Sequence, residues 1–181
     1  GTSDATIKNV LVGEVWFCSG QSNMEVPVGL LNGAPWWKGV LDYQQELASA
    51  NNPKLRLFKV ATTWQPAPIQ DVNGTWAVSS PATAAGFSGT GFFFGRKLVK
   101  DLDVTVGLIA AAVGGMPIEQ FSPHSGQAFW YNGMIAPVIP YGIRGAIWYQ
   151  GETNVINKNG LAYTGKMKDL IEGWRSVFDN E

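Results

Sequence analysis

Val104-Thr-Val-Gly-Leu-Ile-Ala-Ala-Ala-Val113, followed at once by Gly114-Gly115, decides how this chain is expected to fold. The run is uncharged, rich in β-branched residues and without two-residue alternation, so it reads as a strand buried on both faces. Such strands belong to parallel sheets covered by helices on either side. Three further runs fit the same sheet. Val10 to Cys18 is β-branched and aromatic and stops at Ser19-Gly20; Lys54 to Val60 follows the breaker Pro53; Ile143 to Tyr149 closes at Gly151. Helical patterns lie between and after them, at Leu41–Ala50, Phe92–Leu102 and Tyr163–Phe178. In the last, Met167, Leu170, Ile171, Trp174, Val177 and Phe178 share one face. In Phe92–Leu102, Gly91 and Gly95 weaken the helical propensity. Strands alternating with helices predict an α/β class with parallel pairing. The stretches 24–40, 61–86 and 116–140, heavy in Gly, Pro and Trp, are predicted as long loops.

Composition narrows the function. The chain has 181 residues, one domain on the usual scale of roughly 100–200. Hydrophobic residues are 45% and charged residues only 15%, which excludes disorder. Thirteen basic against 14 acidic residues leave a net charge of −1, with no basic block to hold nucleic acid or an anionic membrane. One Cys and one His exclude an intrachain disulfide and a zinc site of several His or Cys ligands. The uncharged runs are too short or too interrupted by Pro to span a membrane. The residues after Gly1 show no charged-then-apolar leader.

In open α/β sheets, ligands sit beyond the carboxyl ends of the strands. Three such ends carry unusual residues: 18–24, 114–116 and 150–154. Ser22 follows a strand and a Gly-containing turn, a placement that lifts a hydroxyl above the sheet edge. Gly114 and Gly115 can turn backbone N–H groups to the same point, and Gln150 and Asn154 can each add an amide donor. Together these would make a nucleophile with an oxyanion hole. Taken singly, each has a plainer reading: Ser22 as a helix cap, the Gly pair as a turn, the amides as partners for backbone groups. Glu152 in an uncharged setting calls for a partner, for which Arg144 or Arg175 is available. Cys18, inside a strand, reads as a small buried apolar group.

Gly13-Glu-Val-Trp-Phe-Cys-Ser-Gly-Gln-Ser-Asn-Met24 closely resembles the nucleophile block of the sialate O-acetylesterase group, carbohydrate acetylesterases of the SGNH hydrolase superfamily. Val113 to Glu119 resembles their second block, with Met116 where Thr is expected. Tyr131 to Pro137 and Ile147 to Asn154 resemble two more, and the likeness continues through Leu170 to Arg175. The resemblance implies a flavodoxin-like three-layer α/β/α fold and an acetyl-enzyme formed on Ser22, without metal or organic cofactor. The oxyanion would be held by the Ser22 N–H, the N–H of Gly114 or Gly115, and the amide of Asn154 or Gln150. Gln21, Asn23 and Glu152 would support the site. An acetylated carbohydrate, of sialic acid or xylan type, would be the substrate, with Trp36, Trp37 and Trp130 as stacking candidates. The family setting is secreted, periplasmic or lysosomal.

One block is missing. The superfamily's late Asp-x-x-His is absent, and His124, the single histidine, lies where the family has no base. Residues 1–181 are therefore expected to be the N-terminal and central part of one SGNH-hydrolase-like domain, lacking its last strand. A further C-terminal segment or second chain would supply the base, since a serine hydroxyl is a weak nucleophile alone. Two other readings stand beside this one: a non-catalytic carbohydrate-binding domain, and an O-acetyltransferase relative.

Overall fold

The computed structural model describes residues 6–31 and 33–178. A single sheet runs through it in the order β3-β2-β4-β1-β5. The strands are β1 (Glu14–Gly20), β2 (Asn52–Lys59), β3 (Trp76–Ser79), β4 (Val106–Ala112) and β5 (Gly145–Tyr149). β1 lies parallel between β4 and β5, and β2 is parallel to the far side of β4.

The four predicted strands are present, but the first starts at Glu14, with Val10, Leu11 and Val12 exposed ahead of it and outside the sheet. A fifth, β3, was not expected: it arises within 61–86, predicted as loop, and pairs antiparallel with β2, Phe58 opposite Trp76. The sheet is thus mixed, not purely parallel. Trp-Ala-Val-Ser has strand chemistry, but a strand of four residues is too short to show a period. The three strands that carry the unusual residues, β4, β1 and β5, have the first in sequence flanked by the second and third. Counting β2, the four parallel strands, numbered among themselves, run 2-3-1-4 across the sheet, so the chain leaves β1 towards one edge and β4 towards the other, and the crevice opens between the carboxyl ends of these two neighbours.

Alternation along each strand divides the core in two. On one face Phe17, Ile109 and Ala111 meet Leu170, Trp174 and Phe178 of α6 (Tyr163–Phe178). On the other Cys18, Leu55, Leu57 and Leu108 meet Phe92 and Val99 of α4 (Gly89–Leu102). Helices on both faces make three layers. Helix α4 begins earlier than its apolar pattern because the Ser88 hydroxyl accepts the Gly91 N–H at 3.0 Å and caps it. Its glycines are a packing device: a Cβ at Gly95 would stand 2.6 Å from Leu108 Cδ1. Burial pushes the Cys18 thiol up to about 12, which leaves it an inert core group.

The shorter helices are α1 (Ser22–Glu25), α2 (Tyr43–Ala48), α3 (Pro81–Ala85) and α5 (Glu152–Ile156). Helix α2 falls inside the predicted 41–50 segment. No helix among the described residues is long and apolar enough to cross a membrane.

Candidate active site

The end of β1 is shaped by crowding. Gly20 has φ +144°, and a Cβ there would lie 2.1 Å from the Tyr149 carbonyl oxygen of β5, so only glycine fits. Gln21 is extended, and Ser22 opens α1. The turn after β4 comes up beside it: a Cβ on Gly114 would sit 3.6 Å from Ser22 Cβ. Blocks 90 residues apart in sequence thus meet at one point. The Gly114 N–H donates to Glu25 Oε2 at 2.7 Å, one helical turn beyond Ser22. Gly115, at φ +76°, is exposed with open space around it.

The third strand end is built differently from the sequence expectation. Asn154 is fully buried and both ends of its amide are engaged: Oδ1 accepts from the Ile118 N–H at 3.0 Å, and Nδ2 donates to Glu119 Oε2 at 2.9 Å. Gln150 Nε2 donates to Asn154 Oδ1 at 2.7 Å and to the Met116 carbonyl at 3.2 Å. Its Oε1 accepts from the Tyr163 hydroxyl at 2.8 Å, and that hydroxyl accepts from Trp148 Nε1 at 3.2 Å. Lys166 pairs with Glu119. Partial burial works against charge on Glu119, but the hydrogen bonds from Lys166 and Asn154 outweigh it and hold the carboxyl below its usual range. Burial, opposed by the Trp148 hydrogen bond and reinforced by Glu152 and Glu119, raises the Tyr163 phenol.

Gln21 is 4% exposed, and its Oε1 accepts from Thr153 N–H at 3.3 Å and, longer, from Gly151 N–H at 3.5 Å. Asn23 Nδ2 donates to Glu152, whose side chain is exposed. Neither Arg144 nor Arg175 partners Glu152: Arg144 faces Glu14 at 4.0 Å, and an exposed carboxylate needs no cation.

The tryptophans are scattered in role. Trp36 is 69% exposed on the 33–39 loop, Trp37 is half-buried beside it, and Trp130 packs against the core on the α6 side. Trp130 Nε1 is shielded with no acceptor among the described residues. His124 is exposed; it lies against Gly173 of α6 and lines a cleft of about 650 Å³ with Glu119, Lys166 and Glu172, to which Ser22 does not contribute. Four participants had no role in the sequence reading: Glu25, Glu119, Tyr163 and Lys166. Glu119 stands inside the second block, where an acidic residue among apolar ones was the available signal. Among the described residues no group of three or more His, Cys, Asp or Glu is placed to hold a metal ion.

A family model described as carbohydrate esterase, sialic acid-specific acetylesterase matches residues 12–181. The sialate O-acetylesterases of Pongo abelii and Homo sapiens are 31% and 30% identical over 205 aligned residues, covering 95% of this chain and 37% of each relative. A crystal structure of a carbohydrate acetylesterase from Xanthomonas citri superposes with a TM-score of 0.82 at 33% identity, over 93% of this chain and 39% of its own. The chain therefore spans little more than a third of the length of these relatives.

Proposed function

Since the chain belongs to the carbohydrate esterase family of sialic acid-specific acetylesterases, we propose that it carries the nucleophile of a carbohydrate O-acetylesterase, and that the nucleophile is Ser22. The observation that carries this is the meeting of Ser22 with the Gly114-Gly115 turn at the carboxyl ends of β1 and β4. Ser22 Oγ would attack the acetyl carbon, the sugar oxygen would leave with a proton, and water would then release acetate from the acetyl-enzyme.

Two backbone donors serve the oxyanion in this reading. Ser22 N–H lies in the first turn of α1, where no intrahelical acceptor exists. Of the Gly pair, Gly115 is the better donor, because the Gly114 N–H is already given to Glu25. Asn154 and Gln150 act by holding the 116–118 and 150–154 backbones together. The general base is a histidine from beyond residues 1–181, on a further segment or a second chain; His124 belongs to the α6 cleft. The substrate class is an acetylated sugar such as an O-acetyl sialic acid, the class named for the relatives, met in a secreted, periplasmic or lysosomal setting.

A serine-directed fluorophosphonate tests the assignment. Peptide mass spectrometry should find the adduct on Ser22 once the His-bearing part is supplied, with acetate released from acetylated sugars in the same preparation. A label on another serine in an active preparation overturns it.

A further inference from the structure

Four side-chain amides surround the ends of β1 and β5: Gln21, Asn23, Gln150 and Asn154. Three have an acceptor on their nitrogen, namely Glu152 for Asn23, Met116 and Asn154 for Gln150, and Glu119 for Asn154. Gln21 has none among the described residues, although 96% of its surface is buried (4% is exposed). Its oxygen is tethered instead, by the backbone N–H groups of Gly151 and Thr153. Those groups can only donate, so the amide cannot turn over without setting donor against donor. Nε2 is therefore fixed in place, and it retains some solvent contact and is not fully shielded. It belongs to the residue next to Ser22.

An amide nitrogen that is held in place, has no protein acceptor and keeps some contact with solvent is free to donate to an arriving acceptor. We infer that Gln21 Nε2 is the side-chain donor to the acyl oxygen, completing the set formed by the N–H groups of Ser22 and Gly115. This rests on the reading of Ser22 as nucleophile. It gives Gln150 and Asn154 a positioning role: their network sets the α5 backbone, and that backbone sets Gln21. An acetyl ester carries an acceptor of the right kind. Its carbonyl oxygen becomes an oxyanion as Ser22 Oγ bonds to carbon, when a fixed donor is most effective.

Phenylboronic acid tests this in the preparation to which the His-bearing part has been supplied. It adds to a serine hydroxyl to give a tetrahedral boronate anion and releases one proton to solvent, placing a boron-bound oxygen where the oxyanion would form. Boron-11 NMR reads the adduct, and ¹H–¹⁵N spectra read the side-chain amides. In the unsubstituted chain the Gln21 NH₂ protons should move downfield on adduct formation while those of Gln150 and Asn154 stay. Gln21→Glu keeps the oxygen that accepts from Gly151 and Thr153 but removes the donor. It should fold as the parent does and bind the boronate about 10²-fold more weakly. Ser22→Ala should form no adduct.

The inference is overturned if Gln21→Glu binds as the parent does, or if the Gln150 amide moves in place of Gln21. If the parent forms no tetrahedral adduct, or Ser22→Ala still forms one, the nucleophile reading fails first and takes this inference with it.

Discussion

Asn154 shows how a residue's place in a motif and its work in a structure can differ. The sequence suggested an amide aimed at substrate, because it stands just past a strand end. Whether an amide points outward or is consumed internally depends on residues far away in sequence, here Ile118, Glu119 and Gln150. Replacing Asn154 with Ala would leave the Ile118 N–H and the Glu119 carboxylate short of a partner in a buried setting. We expect a loss of roughly 1–3 kcal/mol in urea unfolding, the scale of an unmet buried hydrogen bond. Glu119 adds a pH signature. Its carboxyl is held below the ordinary range in the folded chain, so its contribution to stability is present above the unfolded-state pKa and disappears as pH falls through the folded value. The stability gap between the parent and Glu119→Gln should thus shrink on acidification below about pH 4.3. A gap independent of pH would contradict the ionised Glu119. Cys18 should resist alkylation in the folded chain and react only on unfolding, as its depth and raised thiol pKa require.

Elements were legible in proportion to their length and the regularity of their burial. Helix α6 spans Tyr163–Phe178 as its pattern predicted, because one face alone meets the sheet. β3 and α1 were not foreseen: they have four residues each and owe their form to neighbours, β2 for one and the β1 turn for the other. The Tyr131–Ile135 block was visible as a motif but not as a π-helical turn. Its form is tied to the 61–75 segment, since a Cβ at Gly133 would fall 2.0 Å from the Thr63 carbonyl oxygen. Gly95 makes the same point in a helix. Propensity says that Gly95→Ala should stabilise α4 by up to about 1 kcal/mol. The 2.6 Å approach to buried Leu108 says the reverse, because overfilling a packed helix–sheet contact costs about 1–3 kcal/mol. We expect the contact to win and the melting temperature to fall; a rise would mean that the sheet yields.

At the scale of the molecule, the free side of β5 matters most. The expectation of four strands was wrong in count, and the unforeseen β3 lies at the opposite end of the sheet from β5. Among the described residues β5 pairs only with β1, and Ala146 and Tyr149 on it are exposed. Beside that edge Ile143, Ile171, Trp174 and Phe178 line a groove of about 380 Å³ together with Arg144 and Arg175. An unpaired strand next to apolar surface invites a second chain, since its free N–H and C=O groups can continue the ladder and the groove can be covered in the same step. We therefore expect residues 1–181 alone to self-associate with rising concentration. A lysine at the edge, Ala146→Lys, should lower the association by placing charge where a strand would dock. Light scattering on both forms reads this, and a parent that stays monomeric throughout refutes it. The same chain should hydrolyse acetyl esters hardly at all, because Ser22 has no imidazole beside it while His124 stands in the α6 cleft. Turnover at rates typical of esterases would return His124 to consideration as the base, and His124→Ala would then decide the matter.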